Sequence, residues 1–320
     1  MRTLQEGRKS YPEDPTYYFE FDRFSGEAGD FILCEGWFDY RLLEQMRGER
    51  IVYLEFEEPN RFLSADALFN HIEFEDYFDK IFTICPYTAR WLNQQSGNDK
   101  RTPVFFPFNE RYIPPPVAKE FDVIYTGHIS IPPVMKLVRE LSEFNYRCVS
   151  HNDHPLVTNR DVSYASKLEL ISRSKVTLVH NLLYPNWKHV RVLQSEVGAF
   201  TENEAFALTP RRFNFLSPII DRVAPALSAD VVMPQLKSRL FEAAFCRSLI
   251  LCLRDHWNIV EQFFTPGVEF VYYEKGRLNQ TLREILKNYG DYQSMVERAF
   301  ERAVNNYTTE AFFHKYLKNL

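Results

Sequence analysis

The sequence predicts an α/β protein made of two doubly wound units, each a parallel sheet flanked by helices. Short apolar runs of strand length alternate with amphipathic segments of helix length, and this alternation stops and restarts around Pro114, Pro115 and Pro116. Length agrees, because 320 residues exceed one average domain and suit two of ordinary size. An N-terminal domain is therefore expected over 1–117 and a C-terminal domain over 118–320, with the proline run as an extended connector.

Aromatic and β-branched residues mark the first set of strands at 17–21 (YYFEF), 30–36 (DFILCEG), 50–59 (RIVYLEFEEP) and 80–86 (KIFTICP). Helices are expected around 37–47 and 87–95. After the prolines, strands are expected at 121–130 (FDVIYTGHIS), 146–151 (YRCVSH) and 175–183 (KVTLVHNLL), with helices in VMKLVRELSEF and near 165–173. The segment MPQLKSRLFEAAFCRSLILCLRD, 233–255, then reads as a helix followed by a strand. NIVEQFF as a helix, VEFVYY as a strand and further helices complete the chain.

Composition narrows the function. Hydrophobic residues make up 45% and charged residues 25%, the profile of a chain with a packed core. Acidic residues exceed basic ones by five, with no basic run, which argues against a nucleic-acid partner. The start, MRTLQEGRKSYPEDP, has no apolar signal core, and no segment reaches the roughly 18 apolar residues of a membrane span. A cytoplasmic protein without a transmembrane segment is expected. Five cysteines, among them Cys34, Cys85 and Cys252 within apolar runs, read as reduced core residues. The 28 Phe and 18 Tyr read first as core. No D-x-D occurs; Glu20 and Asp22 read as strand residues, and His151 with His154 as a polar loop, so no metal site is expected.

One placement is locally unfavourable. Lys237 and Arg239 fall at the start of a helix, where positive potential ordinarily recruits Asp or Glu. Leu236, Leu240, Phe241 and Ala244 recur at helical spacing and should face the sheet, grouping Ser238, Arg239 and Glu242 on another side. Two readings are open: an anion site suited to phosphate, with Glu242 accepting from a sugar's vicinal hydroxyls, or a surface ion pair between Arg239 and Glu242. Gly127 and His128 follow the strand VIYT, and His180 and Asn181 follow VTLV, so both pairs belong at a carboxyl edge where α/β sheets bind ligands. His128 has three readings, donation to a phosphate, contact with a sugar, or a structural turn histidine. Arg191 is a further phosphate candidate.

LKSRLFEAAFCRSLILCLRD, then EQFFTPGVEFVYY, then a helical tail, resembles the donor-binding half of GT-B glycosyltransferases, nearest the group 1 and spore-maturation CgeB-like members. Those carry K-x-R-x-x-E, an apolar strand and F-x-P-G-x-E in this order. The resemblance covers 118 to about 305 and extends weakly into FDKIFTICPYTARWL and FFPFNERY. It implies two Rossmann-like domains facing a central cleft, the first for the acceptor, the second for a nucleotide-sugar donor, with the last helix packing back on the first domain. It implies transfer of a hexosyl or deoxyhexosyl group to a glycan or glycoconjugate hydroxyl, without metal or other cofactor. Gly127, His128, His180, Asn181, Lys237, Arg239 and Glu242 would bind the donor, Lys237 and Arg239 neutralising the diphosphate and Glu242 holding the ribose. The pattern departs at Cys246 and Arg247, where such families place a small residue and glycine. An inverting reaction needs a base from the first domain. Glu35 and Asp39 are the candidates, with Glu57, Glu58 and His71 behind them; a retaining reaction needs none. A nucleotide-sugar epimerase of this fold and a non-catalytic binding module are the alternatives.

Overall fold

The computed structural model describes residues 1–6, 19–36, 40–56, 75–183, 233–255 and 257–320. Two parallel sheets organise them. In the first, β1 (Arg2–Glu6), β2 (Ile32–Gly36), β3 (Ile51–Glu55), β4 (Lys80–Thr83) and β5 (Arg101–Pro103) lie side by side in chain order. Side chains alternate between the faces of a strand, so each face acquires its own core. Ile32, Cys34, Ile51, Tyr53 and Ile81 pack with Phe78 and with Leu43 of α1 (Tyr40–Gln45). Leu33, Val52, Leu54 and Phe82 point the other way, into the main core.

Right-handed crossovers draw the connections of a sequentially ordered sheet towards one side. Among the described residues the main-core face takes cover from the chain's end: α8 (Thr309–Phe312) and the π-helical turn Phe313–Leu317. The Phe312 ring lies 5.3 Å from Phe21, 6.1 Å from Phe82 and 5.3 Å from Phe105, and Phe313 stacks on Phe24 at 4.5 Å.

The second sheet comprises β6 (Phe121–Thr126), β7 (Tyr146–Ser150), β8 (Asn159–Arg160), β9 (Ser174–Val179), β12 (Leu249–Leu253) and β13 (Val271–Tyr273), all parallel. Across the sheet they run β8-β7-β6-β9-β12-β13. The chain enters at the middle, moves outward to β8, and returns to build the other half from β9. This is a doubly wound order with its reversal between β6 and β9. Val123, Tyr125, Val176, Leu178, Leu249 and Leu251 meet α3 (Pro132–Glu140) and α6 (Leu278–Lys287) on one face. Ile124, Val179 and Ile250 belong to the core on the other face, with α4 (Tyr164–Ser172), α5 (Ser238–Phe245) and α7 (Gln293–Asn306). An antiparallel ribbon, β10 (Leu182–Leu183) with β11 (Met233–Pro234), leaves the end of β9 and leads to α5.

Several local expectations change. Of the strand expected at 17–21, only 19–21 lie within the described residues; there Phe21 begins a 3-10 turn to Phe24, preceded by Glu20 in the left-handed region (φ 52°) and burying Phe21 and Phe24. NIVEQFF forms only the 3-10 turn Ile259–Gln262: Asn258 is left-handed (φ 46°), and the Asp255 carboxylate takes the amides of Trp257 and Asn258 at 2.8 Å each. β1 and β5 went unread, the first because it carries a single large apolar residue, Leu4, the second because it has three residues.

The chain crosses between the sheets twice at one place. Phe108 N–H donates to Tyr307 O, and Thr309 N–H donates to Phe108 O, each at 2.9 Å. The Phe108 ring stacks on Phe245 of α5 at 4.1 Å. On the opposite side Tyr87 Oη donates to Trp257 O at 3.1 Å. Tyr87 belongs to α2 (Pro86–Ser96), which follows the carboxyl end of β4, and Trp257 follows that of β12, so the two carboxyl edges face each other. All five cysteines are free and buried. Among the described residues no helix is long and apolar enough to cross a membrane.

Candidate functional site

Where a doubly wound sheet reverses its order, the chain leaves adjacent strand ends in opposite directions and a crevice opens at the carboxyl edge. Here β6 ends in Thr126 and continues into Gly127 and His128, while β9 ends in Val179 and continues into His180 and Asn181. Gln235 N–H donates to Asn181 O at 2.7 Å, so the ribbon delivers the start of α5 to the same place. Lys237 is the N-cap of α5 and Arg239 its second residue.

Arg239 is seated against β6. A Cβ added to Gly127 would lie 2.2 Å from Arg239 Nη2 and 3.0 Å from its Cζ, so the missing side chain is what admits the guanidinium. Gly127 also has φ +135°, a conformation that L side chains rarely adopt. Arg239 Cζ stands 4.9 Å from the centre of the Tyr125 ring, a cation–π contact. Its Nη1 is buried and has no hydrogen-bond partner, and among the described residues no carboxylate pairs with this guanidinium. The guanidinium is half-buried, and its buried N–H is left without an acceptor that an arriving anion could supply.

The neighbours keep the site positive. Burial, and then the charges of Arg239 and Lys237, push the His180 imidazole down to about 3, so it stays uncharged beside them. His180 and Asn181 are buried, and Asn181 Nδ2 contacts Cys252 Sγ at 3.6 Å. His128 is exposed, with Nδ1 3.3 Å from Asn152 Oδ1.

Glu242 departs from the expected surface position. It is 1% exposed, and Lys167 of α4 reaches its Oε1 at 2.8 Å and its Oε2 at 2.7 Å. The surface pair with Arg239 is thereby overturned: Arg239 turns towards β6 and Glu242 towards α4. The sequence held a signal for Lys167, since it interrupts the apolar stripe of Tyr164, Leu168 and Ile171, and a lysine there needs a buried partner.

Arg247 is also re-read. It follows the C-cap of α5 in the left-handed region, φ 49°, at the amino end of β12 and away from the crevice. Glycine there answers to a helix-ending conformation rather than to ligand approach. Lys119 Nζ donates to Arg247 O and Ser172 O, both 2.6 Å, and burial lowers this lysine to about 8.

The sequence profile of the glycosyl transferase-like family matches residues 133–318, more than half of the chain. The chain belongs to that family. No curated protein sequence matches this glycosyl transferase-like chain. Among solved structures it is similar to Anabaena HepE in complex with UDP and glucose, with 8% identity over 91% of this chain and 77% of that one (TM-score 0.54). Sucrose-phosphate synthase from Thermosynechococcus elongatus shares 10% identity over 89% and 71% of the two chains, also at 0.54. TarM shares 8% identity over 92% of this chain and 56% of its own (TM-score 0.50). The chain thus spans little more than half the length of TarM. The fold is GT-B.

In this glycosyl transferase-like chain one acidic candidate, Glu35, stands near the carboxyl end of a first-sheet strand. Glu35 is the penultimate residue of β2, opposite Gln5 and Leu54 in register. Asp39, Glu57, Glu58, His71 and Arg191 lie outside the described residues. Glu55, a carboxylate inside the apolar run 50–59 that the sequence does not mark out as a site residue, closes β3, buried, and accepts from Tyr53 Oη at 3.0 Å.

Proposed function

We propose that this chain transfers a sugar from a nucleotide-diphosphate donor to a hydroxyl acceptor across the cleft between the two sheets. The observation that carries this reading is Arg239, a half-buried guanidinium whose buried Nη1 has no hydrogen-bond partner, seated at the switch point of a doubly wound sheet beside a helix N-terminus. The bond between the anomeric carbon and the donor phosphate breaks, and the diphosphate leaves with the electron pair. Arg239, Lys237 and the first amides of α5 stabilise the growing negative charge. These groups supply it from fixed positions, so the reading requires no divalent ion.

The acceptor oxygen forms the new bond to the anomeric carbon. In an inverting reaction its proton passes to a carboxylate of the N-terminal half, with Glu35 and Asp39 the candidates. Gly127, His180 and Asn181 shape the donor side. Glu242 reaches the ribose only where Lys167 yields one of its oxygens. HepE was solved with UDP-glucose and with UDP and glucose, which makes uridine nucleotides the first donors to try.

The test is thermal shift and calorimetry with UDP, GDP, CDP, dTDP and ADP, with and without chelator. One diphosphate should stabilise the protein regardless of chelator. Arg239→Ala should then lose about 1.5–3 kcal/mol of its binding, the range for a hydrogen bond to a charged group. Unchanged affinity in that variant would remove the diphosphate assignment. A new sugar nucleotide appearing without acceptor would favour the epimerase.

A further inference from the structure

We propose that His128 presents Nε2 as a hydrogen-bond acceptor to a hydroxyl of the transferred sugar, in a tautomer set by Asn152. The ligand half of this proposal rests on reading the crevice as a nucleotide-sugar site; the tautomer does not.

Three donors converge on Asn152 Oδ1. Ile129 N–H points at it from 2.9 Å, and a backbone amide can only donate, so the oxygen of Asn152 stands there and its NH₂ does not. Ser150 Oγ accepts from Asn152 N–H at 3.2 Å and lies 2.8 Å from the same Oδ1, which directs its own proton to that oxygen. His128 Nδ1 faces it at 3.3 Å. A lone pair on Nδ1 would confront the oxygen's lone pairs, so the neutral ring carries its proton on Nδ1 and leaves Nε2 as an acceptor. Tyr125 Oη, donating to His128 O at 3.1 Å, steadies the residue, and the same tyrosine ring lies beneath Arg239.

An acceptor nitrogen repels a phosphate oxygen and attracts a hydroxyl. This separates the two ligand roles the sequence left open for His128, with phosphate falling to Arg239, seated against the adjacent Gly127. The two sides of the switch point differ in access: His180 and Asn181 are buried, whereas His128 is exposed. The transferred sugar has to lie open to its acceptor, so the exposed side is its side.

Long-range ¹H–¹⁵N spectra of the full chain at about pH 8, where an imidazole is neutral, read the tautomer directly. The signals are assigned by their loss in His128→Gln. The expected result is a protonated Nδ1 in the native chain and a shift towards protonated Nε2 in Asn152→Ala; protonated Nε2 in the native chain overturns the proposal. Calorimetry with UDP and UDP-glucose tests the ligand. His128→Ala should weaken UDP-glucose by about threefold to tenfold and leave UDP unchanged, while His128→Gln, whose amide oxygen also accepts, keeps most of the affinity. Equal losses for both ligands would overturn the sugar assignment. If none of UDP, GDP, CDP, dTDP and ADP binds the native chain, the donor reading falls and the hydroxyl role falls with it; if another base is preferred, the same comparison is made with that diphosphate and its glucose conjugate.

Discussion

The first sheet keeps its strands in chain order and borrows cover for its main-core face from the last turns of the chain, whereas the second starts in its own middle, reverses between β6 and β9, and is covered on both faces by helices that follow its strands. In sequence the two halves look alike, each an alternation of strands and helices. Their wiring differs, and with it what each can do. Among the described strands only the second sheet contains a reversal, and there an unpaired cation collects. The first sheet depends on residues more than 200 positions away for its interior, as Phe82 meets Phe312.

Phe312→Ala should most sharply expose this dependence. Truncating a fully buried aromatic costs about 3–5 kcal/mol, and denaturant unfolding should show the loss beginning in the first sheet. A cost below about 1 kcal/mol would mean that the tail is a decoration and the two halves are equally self-contained. The second sheet has its own long-range fastening in Lys167 and Glu242. Lys167→Met leaves a buried carboxylate without its cation and should cost about 3 kcal/mol or more. Adding Glu242→Leu should recover most of this, because an apolar pair of similar volume replaces a buried ion pair at little cost. Failure of the double variant to recover stability would show that Glu242 serves something besides Lys167.

Gly127→Ala sharpens the comparison at the reversal itself. A methyl group there meets the guanidinium, so nucleoside diphosphate affinity should fall by about as much as in Arg239→Ala, roughly 1.5–3 kcal/mol. In the Arg239→Ala background the same change should cost no further affinity. Additive losses would instead mean that the Gly127 backbone meets the ligand on its own account. The smallest effect is expected at the amino edge of the second sheet. Arg247→Gly should be about 1 kcal/mol more stable to denaturant than Arg247→Ala, since both lose the contact over Phe300 and only alanine keeps the left-handed strain. Equal stabilities would remove the conformational account of this position.

The second sheet was the more legible in sequence because its strands are apolar on both faces, as parallel strands buried between helices must be. The expected strands at 121–130, 146–151 and 175–183 appear as β6, β7 and β9, each shortened or shifted at an end where polar residues take over. Lys237 and Arg239 stand at the helix start where spacing put them. Their partners were not legible: Gly127 lies 112 positions before Arg239 and Lys167 lies 75 before Glu242, and only the sheet order brings such positions together. Glu242 shows the limit of helical spacing, which predicts the side of a helix but not which neighbour will claim a side chain there. The polar edge strand β1 escaped because an edge needs little apolar pattern to pair.

The two crossings at Phe108 have a mechanical consequence. Because the outgoing and returning segments are hydrogen-bonded to each other through Phe108, Tyr307 and Thr309, they behave as one strip of ladder rather than as two loose tethers. A displacement of either segment along its course would break the bonds to the other, so the two crossings are tied to move together.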